Sequence, residues 1–490
     1  MPALSKSRYL SGLQCAKRLW LEIHDPEKAT PAPGFQRFLF EQGLEVGRRA
    51  RLCFPGGVLI QNSHKELSKA VIDTQAAIAQ GATTLFEGAF HFDDTYAIAD
   101  VLIRGRHGWD LIEVKSSTRV KDEHLDDLAI QRYVLEGAGL PIQSTQVMVL
   151  NGECVYPDLS KLFKQEDVTD EVLGLLPDAR ERLRDFKRLL ELRQAPPIPI
   201  GEHCATPYQC PFKTHCWAGV GDRKLAIGIP RLSGPKKEEL RERNILFLDE
   251  LPADFPLTPK QQAYVDGVHK AFLHVNKEGI RAQLATLAYP VHFFDFETFG
   301  PAIPRFVGMK PYQHFPFQFS CHRLEEDGTL HHGEYLHLDP HDPRPRVIKS
   351  LLECLGARGS IVAYNASFER GVLQSLTTAF PAHRAELEAV VARLWDQMSV
   401  FKKNYHHSAF GGSISLKKVL PIVVPHLNYG NLAIQQGDEA QLAWGRMLQM
   451  QSGAERECMI ADLQAYCRLD TLAMVEIHQV LTKLVASDAA

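Results

Sequence analysis

Hydrophobic and polar residues alternate along the stretch FEGAFHFDDTYAIADVLIR, which begins at Phe86, and this period of two predicts β-strands. A glycine-containing turn and the apolar run LIEVK, from Leu111, predict the next strand of a hairpin. Helical spacing follows over about 126–136. Residues 1–222 are therefore predicted to form a first domain that mixes strands and helices.

A second alternation of strands and helices begins with the apolar strand VHFFDF at Val291 and continues to the end of the chain. It predicts an α/β domain over residues 291–490. Residues 223–290 are charge-rich with helical spacing, and they predict a small helical connector. A chain of 490 residues exceeds one usual core, so the predicted fold class is α/β and multidomain.

Composition narrows the class of protein. Lys and Arg number 55 against 59 Asp and Glu, so a nucleic-acid surface has to be a local patch or a metal-bridged contact. The amino terminus has no apolar segment of signal-peptide type, and no run of about 18 apolar residues occurs, which predicts a cytoplasmic protein without membrane contact. Ten cysteines are too few for a disulfide scaffold, so clustered cysteines are expected to hold a metal.

A first set of charged residues lies in the predicted hairpin. Asp100 ends one strand, and Glu113 and Lys115 are two residues apart in the next strand, so they share a face. Two carboxylates bind Mg²⁺ or Mn²⁺, which polarises a phosphodiester and activates water, while a lysine stabilises the developing negative charge. The alternative is a hairpin whose charges face solvent.

This pattern resembles the PD-(D/E)XK nuclease superfamily, and Gln131 with Tyr133 resembles the glutamine-tyrosine helix of its RecB-like branch. Tyr133 departs from the usual Gln-x-x-x-Tyr spacing. Many relatives carry a metal-binding His on the first helix; GLEVGRRAR has none, and Glu45 is the expected substitute. The resemblance implies a restriction-endonuclease-like fold in which Asp100 and Glu113 bind the metal. It implies a catalytic set of Asp100, Glu113, Lys115 and Gln131.

Four cysteines bracket this domain. Cys15 lies near its start, and HCATPYQCPFKTHCW near its end contains Cys204, Cys210 and Cys216. Four thiolates suit zinc or an iron-sulfur cluster. One cysteine before and three after a RecB-like core resembles the iron-sulfur nucleases of the AddB type and the fourth CRISPR-associated family, which implies a 4Fe-4S cluster. The first gap is longer than usual, so structural zinc is the alternative. The other six cysteines, Cys467 among them, are predicted core residues.

A third set of residues is acidic. Asp295 and Glu297 share one face of the predicted strand from Val291. Charged side chains in a buried strand destabilise a fold unless they bind a partner, so this pair indicates a functional site. Converging carboxylates would hold two divalent ions about 4 Å apart, with a tyrosine orienting the nucleophilic water. The alternative is a pair of strand-end charges and a core tyrosine. The further members are Asn365 and Glu369 at a helix start, and Tyr466 and Asp470 one turn apart on a helix.

The order Asp-x-Glu, a mid-chain carboxylate, then Tyr-x-x-x-Asp resembles the DEDDy branch of the DnaQ-like, or RNase H-like, exonucleases. The resemblance implies an RNase H-like domain that acts from 3′ ends, with Glu369 where the family has Asp. Four metal ligands are implied: Asp295, Glu297, Glu369 and Asp470. The stretch FGGSISLKKVLP resembles an uncharacterised bacterial domain family often found behind RecB-like nuclease domains, and 291–490 is the matching region. Four residues of that stretch either cradle the scissile strand or form a loop and helix cap: Gly411, Gly412, Lys417 and Lys418.

These patterns predict a divalent-metal-dependent exodeoxyribonuclease with two active sites, acting on single-stranded or free-ended DNA in repair or defence. Three alternatives remain open at this point. One site is inactive and binds nucleic acid, the substrate is RNA, or the chain is an adaptor whose cysteines bind zinc. The residues identify no protein partner.

Overall fold

The structure is a computed structural model that describes residues 4–31, 34–61, 66–221, 223–269 and 272–486. It confirms a mixed α/β protein with more than one domain, because the chain separates into two compact units. Unit 1 is built from residues within Met1–Ile227, Arg243–Phe247 and Pro301–Tyr312. Unit 2 is built from residues within Gly228–Glu242, Leu248–Gly300 and Gln313–Ala490.

Unit 1 has one mixed sheet. Its strands are β1 (Leu4–Ser5), β2 (Val58–Leu59), β3 (Thr84–Phe92), β4 (Thr95–Arg104), β5 (Trp109–Lys115), β6 (Ile142–Leu150) and β7 (Phe163–Asp167). The order is β2-β3-β4-β5-β6-β7, and β1 pairs with β4. The predicted strand-turn-strand pattern is confirmed as the hairpins β3-β4 and β4-β5. Asp93 and Asp94 form the first turn and both have positive φ, 49° and 52°, as a type I′ turn requires.

Helices cover this sheet. They are α1 (Lys6–Gln14), α2 (Ala16–His24), α3 (Gly34–Arg51), α4 (Leu67–Ala79), α5 (Asp122–Gly137), α6 (Thr169–Leu190) and α7 (Lys213–Cys216). The helix α5 is the crossover between the parallel strands β5 and β6. Its Leu128 and Val134 are buried in one core with Leu111 of β5 and Val147 of β6. This burial, worth about 25 cal/mol per Å² of apolar surface, fixes the polar residues of α5 against β5.

Unit 2 has a five-stranded sheet of order β11-β10-β9-β12-β13 and a separate pair, β14-β8. Its strands are β8 (Leu273–Val275), β9 (Val291–Phe299), β10 (Phe315–Leu324), β11 (Leu330–Leu336), β12 (Ile361–Ala363), β13 (Leu394–Asp396) and β14 (Tyr405–His407). The central strand β9 pairs antiparallel with β10 and parallel with β12. Because both of its faces are covered, β9 is almost wholly buried, as its apolar sequence predicts.

Ten helices belong to unit 2 in the described chain: α8 (Gly234–Glu242), α9 (Pro259–His269), α10 (Lys277–Leu284), α11 (Arg344–Leu355), α12 (Ala366–Ala379), α13 (Arg384–Ala392), α14 (Met398–Lys403), α15 (Leu416–Val423), α16 (Gly437–Met447) and α17 (Ala454–Ala486). Phe293 of β9 packs in one core with Met474 and Ile477 of α17. Phe294 packs in the other core, with α11 and α12. Strand side chains alternate, so Asp295 and Glu297 share the face of Phe293 and point towards α17.

Two boundaries differ from those predicted. The predicted connector, residues 223–290, is divided between the units, with its helices in unit 2. The segment Pro301–Tyr312, predicted as part of the third domain, belongs to unit 1, where Gln42 accepts the N–H of Ala302 at 2.6 Å. This segment has no helix or strand, so hydrophobic periodicity carries no signal for its location. None of the helices in the described ranges has the length and apolar composition needed to cross a membrane.

Candidate active sites

The predicted acidic residues of unit 2 converge on one cavity. Asp295 and Glu297 reach it from β9, Glu369 from the first turn of α12, and Tyr466 and Asp470 from α17. The two strand residues share a face at i and i+2, and the two α17 residues share a face at i and i+4. One strand and two helices therefore bring four carboxylates and a tyrosine to a common space.

Three of these carboxylates are buried, Asp295 is partly exposed, and their charges repel one another. Burial raises the pKa of Asp295 well above its ordinary value, and Asp470, Glu369 and Glu297 raise it further. Burial also raises the pKa of Glu369 to about 7 and that of Asp470 to about 6. Glu369 is 3% exposed, and its Oε2 has no hydrogen-bond partner in the part of the chain that the structure describes. An unpaired buried carboxylate oxygen destabilises a fold, so this donor set fits a divalent cation.

A lysine and a second tyrosine complete the polar lining. Lys417 of α15 donates a hydrogen bond to Tyr466 Oη at 3.1 Å, and its Nζ lies 5.3 Å from the ring centre of Tyr429. Tyr429 donates its hydroxyl hydrogen to Asp470 Oδ1. Lys417 is the one lysine or arginine among the described residues that line the cavity. A single ammonium cannot balance the carboxylates around it, which explains why their pKa values remain high.

Other predicted residues of this unit have different positions. Asn365 lines the cavity and precedes α12 as its N-cap residue. Lys418 is exposed and does not line the cavity; its neighbour Lys417 does, because adjacent helical residues point about 100° apart. Cys467, predicted as an ordinary core residue, is buried, and its Sγ lies within 4.8 Å of carboxylate oxygens of Asp295 and Glu297.

The predicted hairpin residues of unit 1 line a second cavity, together with part of α3. Asp100, Glu113 and Lys115 lie there beside Glu87, which the sequence reasoning missed. Asp100 Oδ2 accepts the N–H of Val114 at 2.7 Å, which holds its side chain against β5. Burial raises the pKa of Asp100 to about 7, and the nearby charge of Glu113 raises it further.

Two residues that were not predicted, Lys6 and Asp127, complete the polar cluster of unit 1. Lys6 Nζ donates to both oxygens of Glu113, at 2.9 and 3.1 Å, and lies 3.3 Å from Asp127 Oδ1. Lys115 donates to Glu113 Oε1 at 2.7 Å and to Asp127 Oδ2 at 2.6 Å. Gln131 donates to the same two carboxylates, at 2.8 and 2.9 Å. Two carboxylates and two ammoniums therefore form a closed, charge-balanced network.

The pKa values of this network follow from its ion pairs. Burial opposes the charged form of Lys115, but Glu113 and Asp127 outweigh it and raise its pKa. Burial likewise opposes the carboxylate form of Asp127, but Lys6 and Lys115 hold its pKa well below the ordinary range. Asp127 is thus stabilised as an anion by the two lysines that contact it.

Tyr133 and Glu45 do not line this cavity. The Tyr133 hydroxyl donates to Asp93 Oδ2 at 3.0 Å, whereas Gln131, two residues earlier on α5, contacts Glu113. Glu45 pairs with Arg48 at 2.8 Å and with Arg49 at 3.5 Å. The structure thus brings Gln131 to the predicted cluster, and it places Tyr133 and Glu45 elsewhere in unit 1.

The four predicted cysteines of unit 1 line one small cavity: Cys15, Cys204, Cys210 and Cys216. Burial raises the pKa values of the Cys15, Cys210 and Cys216 thiols. Gln14 donates to the main-chain oxygens of His203 and Tyr208, at 2.6 and 2.7 Å, and so ties the two ends of the domain together. These cysteines are all described, and no three of their sulfur atoms lie within 4.8 Å of one another.

Comparison with known proteins gives one family. The model of a domain of unknown function (DUF2779) matches residues 292–415. That stretch contains Asp295, Glu297 and Glu369, and it ends before Tyr466 and Asp470 of α17. No curated protein matches the chain. The chain is thus similar, over less than half its length, to a family without an assigned activity, so functional inference depends on the geometry of the sites.

Proposed function

We propose that the chain is a divalent-metal-dependent nuclease whose principal active site is the acidic cavity of unit 2, in an RNase H-like domain of the DEDDy type. One observation carries this proposal: Asp295, Glu297, Glu369 and Asp470 converge on one cavity with Tyr466. Their order along the chain and their elements match the resemblance found in the sequence. Buried carboxylates without enough positive charge near them are suitable ligands for a divalent cation.

The residues of this cavity have distinct roles in phosphodiester hydrolysis. Bound Mg²⁺ or Mn²⁺ would polarise the phosphate and lower the pKa of a water ligand, and the four carboxylates would hold it. The Tyr466 hydroxyl accepts a hydrogen bond from Lys417 and donates one to Asp470. These two contacts hold the hydroxyl oxygen in the cavity, where it would orient the attacking water. Lys417 also brings positive charge to the place where charge develops on the phosphate oxygens.

For unit 1 we propose a PD-(D/E)XK domain of the RecB-like type, with Asp100, Glu113, Lys115 and Gln131 as its catalytic set. A specific observation favours a second candidate function, a nucleic-acid binding module. Both oxygens of Glu113 already accept hydrogen bonds from Lys6, so a metal ion would have to displace an ammonium. Hydrolysis in this unit therefore requires Lys6 to move.

We propose that the four cysteines of unit 1 hold a 4Fe-4S cluster. A tetrahedral zinc ion with Zn–S bonds of about 2.3 Å separates its sulfur ligands by about 3.8 Å. The support for the cluster is that one cysteine from the start of the domain and three from its end line one cavity, in the arrangement that the resemblance implies. The expected spectroscopic result is iron-sulfur absorption that is lost in Cys210→Ser. A colourless, zinc-containing wild type would contradict the cluster.

We propose single-stranded or free-ended DNA as the substrate, with RNA as the alternative. The test is digestion of DNA and RNA strands, labelled separately at the 5′ and 3′ ends, by anaerobically purified protein with Mn²⁺. Asp295→Ala should remove release of nucleotides from the 3′ end, and Asp100→Ala should leave that activity unchanged. Glu153→Ala, at an exposed residue of unit 1, is the control for substitution as such.

The outcomes separate the proposals. Loss of a second activity in Asp100→Ala would assign hydrolysis to unit 1. If Asp100→Ala gives the same digestion products as the wild type but binds nucleic acid more weakly in a gel shift, unit 1 has a binding role. If Asp295→Ala hydrolyses both nucleic acids as fast as the wild type, the nuclease site of unit 2 is contradicted.

A further inference from the structure

A buried thiol lies beside the carboxylates of unit 2, and the hydrolytic roles proposed above do not use it. Cys467 follows Tyr466 on α17 and has no exposed surface. Its Sγ and carboxylate oxygens of Asp295 and Glu297 all lie within 4.8 Å of one another. Across the described ranges, these are the three Cys, His, Asp or Glu residues whose ligand atoms meet that spacing.

A second observation points to a ligand at the same place. Glu369 Oε2 is buried without a hydrogen-bond partner in the described chain, and Glu369 lines the cavity with Asp295 and Glu297. A buried polar atom without a partner requires an explanation, and a missing cation supplies one. Asp295 and Glu297 belong both to the cavity that Glu369 lines and to the group that contains Cys467 Sγ, so a cation held by these two carboxylates has a sulfur atom beside it.

The chemistry of this donor set is selective. Mg²⁺ takes oxygen ligands, whereas thiolates select softer ions such as zinc. With Zn–S near 2.3 Å and Zn–O near 2.1 Å, a tetrahedral ion separates sulfur and oxygen ligands by about 3.6 Å. Side-chain shifts of about 1 Å or less would therefore close the observed group around one ion.

We infer that the acidic cavity of unit 2 binds Zn²⁺ or Co²⁺ through Cys467 Sγ together with Asp295 and Glu297. The inference rests on the proposed metal site of this unit. Binding replaces the S–H bond with a sulfur–metal bond, and the proton leaves to solvent. A thiophilic ion held in this way occupies the carboxylates that Mg²⁺ needs, so zinc is expected to inhibit hydrolysis supported by Mg²⁺.

The test is a cobalt titration of the full chain followed by sulfur-to-cobalt charge-transfer absorption, with zinc affinity measured by competition against a chromophoric chelator. Cys467→Ser should lose the contribution of one thiolate and bind zinc at this site roughly 10–100-fold more weakly. Cys458→Ser is the matched control, because Cys458 is exposed on the same helix. The four cysteines of unit 1 are present in all three proteins and give the same background.

Equal cobalt spectra and equal zinc affinities in the wild type and Cys467→Ser would overturn the inference and leave Cys467 as an apolar core residue. If Cys467→Ser does not fold by circular dichroism, Cys467→Ala provides the same comparison. Mn²⁺-supported hydrolysis without a cobalt-thiolate signal that depends on Cys467 would overturn this inference alone. A signal that is lost in Cys467→Ser, in a chain that hydrolyses neither DNA nor RNA, would support the thiol ligand and contradict the proposed nuclease function.

Discussion

In unit 1, the buried carboxylates of Glu113 and Asp127 each contact two lysine ammoniums. In unit 2, three buried carboxylates and the partly exposed Asp295 line a cavity in which Lys417 is the one lysine among the described lining residues. The pKa of Asp127 in unit 1 is therefore low, and the pKa values of the unit 2 carboxylates are high. The two lysines of unit 1 balance the carboxylates that they contact, but Asp100 in the same cavity has a pKa raised to about 7. Under the proposed function, bound divalent ions supply the missing positive charge in unit 2.

The comparison is tested most strongly by Glu113→Gln. This change leaves Lys6 and Lys115 with Asp127 as their shared anion, and removal of one partner from a buried ion network costs about 3 kcal/mol of unfolding free energy. Hydrogen exchange of unit 1 peptides in urea is the measurement, because a chain with two units does not unfold in one transition. Glu153→Gln removes an exposed ion pair with Lys310 and should cost less than about 1 kcal/mol. Equal small losses in both variants would mean that the network does not stabilise unit 1.

The pH dependence of unit 2 gives the next effect. Folded Glu369 and Asp470 have pKa values of about 7 and about 6, against ordinary values of 4.5 and 3.8. Between about pH 4 and pH 7 the folded state holds protons that the unfolded chain has released, so stability falls as pH rises. Without divalent ions, each of these two carboxylates should cost unit 2 about 3 kcal/mol over this range, because each pKa unit between the folded and ordinary values is worth about 1.4 kcal/mol. Asp396 acts on the pKa of Glu369, and Lys417, Tyr429 and Tyr466 act on the pKa of Asp470.

Urea unfolding of the chelator-treated protein at pH 5 and pH 8, followed by hydrogen exchange of unit 2 peptides, measures this effect. Mn²⁺ should restore most of the lost stability at pH 8 and little at pH 5, because protons occupy the carboxylates at the lower pH. A metal-free unit 2 that is more stable at pH 8 would contradict the assigned carboxylate repulsion.

Asp295→Asn should produce a smaller change of opposite sign to that of Glu113→Gln. It removes one buried charge that its neighbours repel, so metal-free unit 2 should gain about 1–2 kcal/mol of unfolding free energy at pH 8. The gain should disappear in saturating Mn²⁺, because the wild type then has its cation and the variant has lost a ligand. Destabilisation of the metal-free variant would show that Asp295 makes a favourable contact that outweighs the repulsion.

The two sites also differ in how far the sequence predicted them. Asp295 with Glu297, and Tyr466 with Asp470, were predictable because strand and helix periods place each pair on one face. Lys6 was not, since it is 107 residues from Glu113 and meets it only through tertiary packing. The position of Asp127 was predictable, because it lies four residues before Gln131 and therefore on the same face of α5.

Domain boundaries and single helix faces were harder to predict than element types. The segment Pro301–Tyr312 belongs to unit 1 through contacts such as that between Gln42 and Ala302, which involve no periodic pattern. Lys417 and Lys418 are adjacent, and the choice between them depends on the rotation of α15 about its axis. That rotation is fixed by burial of Val419 and Leu420, which the run of apolar residues around them does not specify.

Lys417→Met should have the smallest effect of those considered, and it tests the one lysine among the described residues that line the cavity of unit 2. Methionine preserves much of the apolar stem, so the change mainly removes the ammonium beside Tyr466 and Asp470. Metal-free unit 2 should lose about 1 kcal/mol at pH 8, and saturating Mn²⁺ should remove this difference, because the ion then balances the carboxylates. Lys418→Met, at the exposed neighbouring position, should change neither quantity. The measurement is again urea unfolding by hydrogen exchange. If Lys417→Met stabilises the metal-free unit, the cost of desolvating the ammonium is larger than its attraction to the carboxylates. Lys417 then does not stabilise the carboxylates of unit 2, and their dependence on bound ions is greater than the comparison with unit 1 implies.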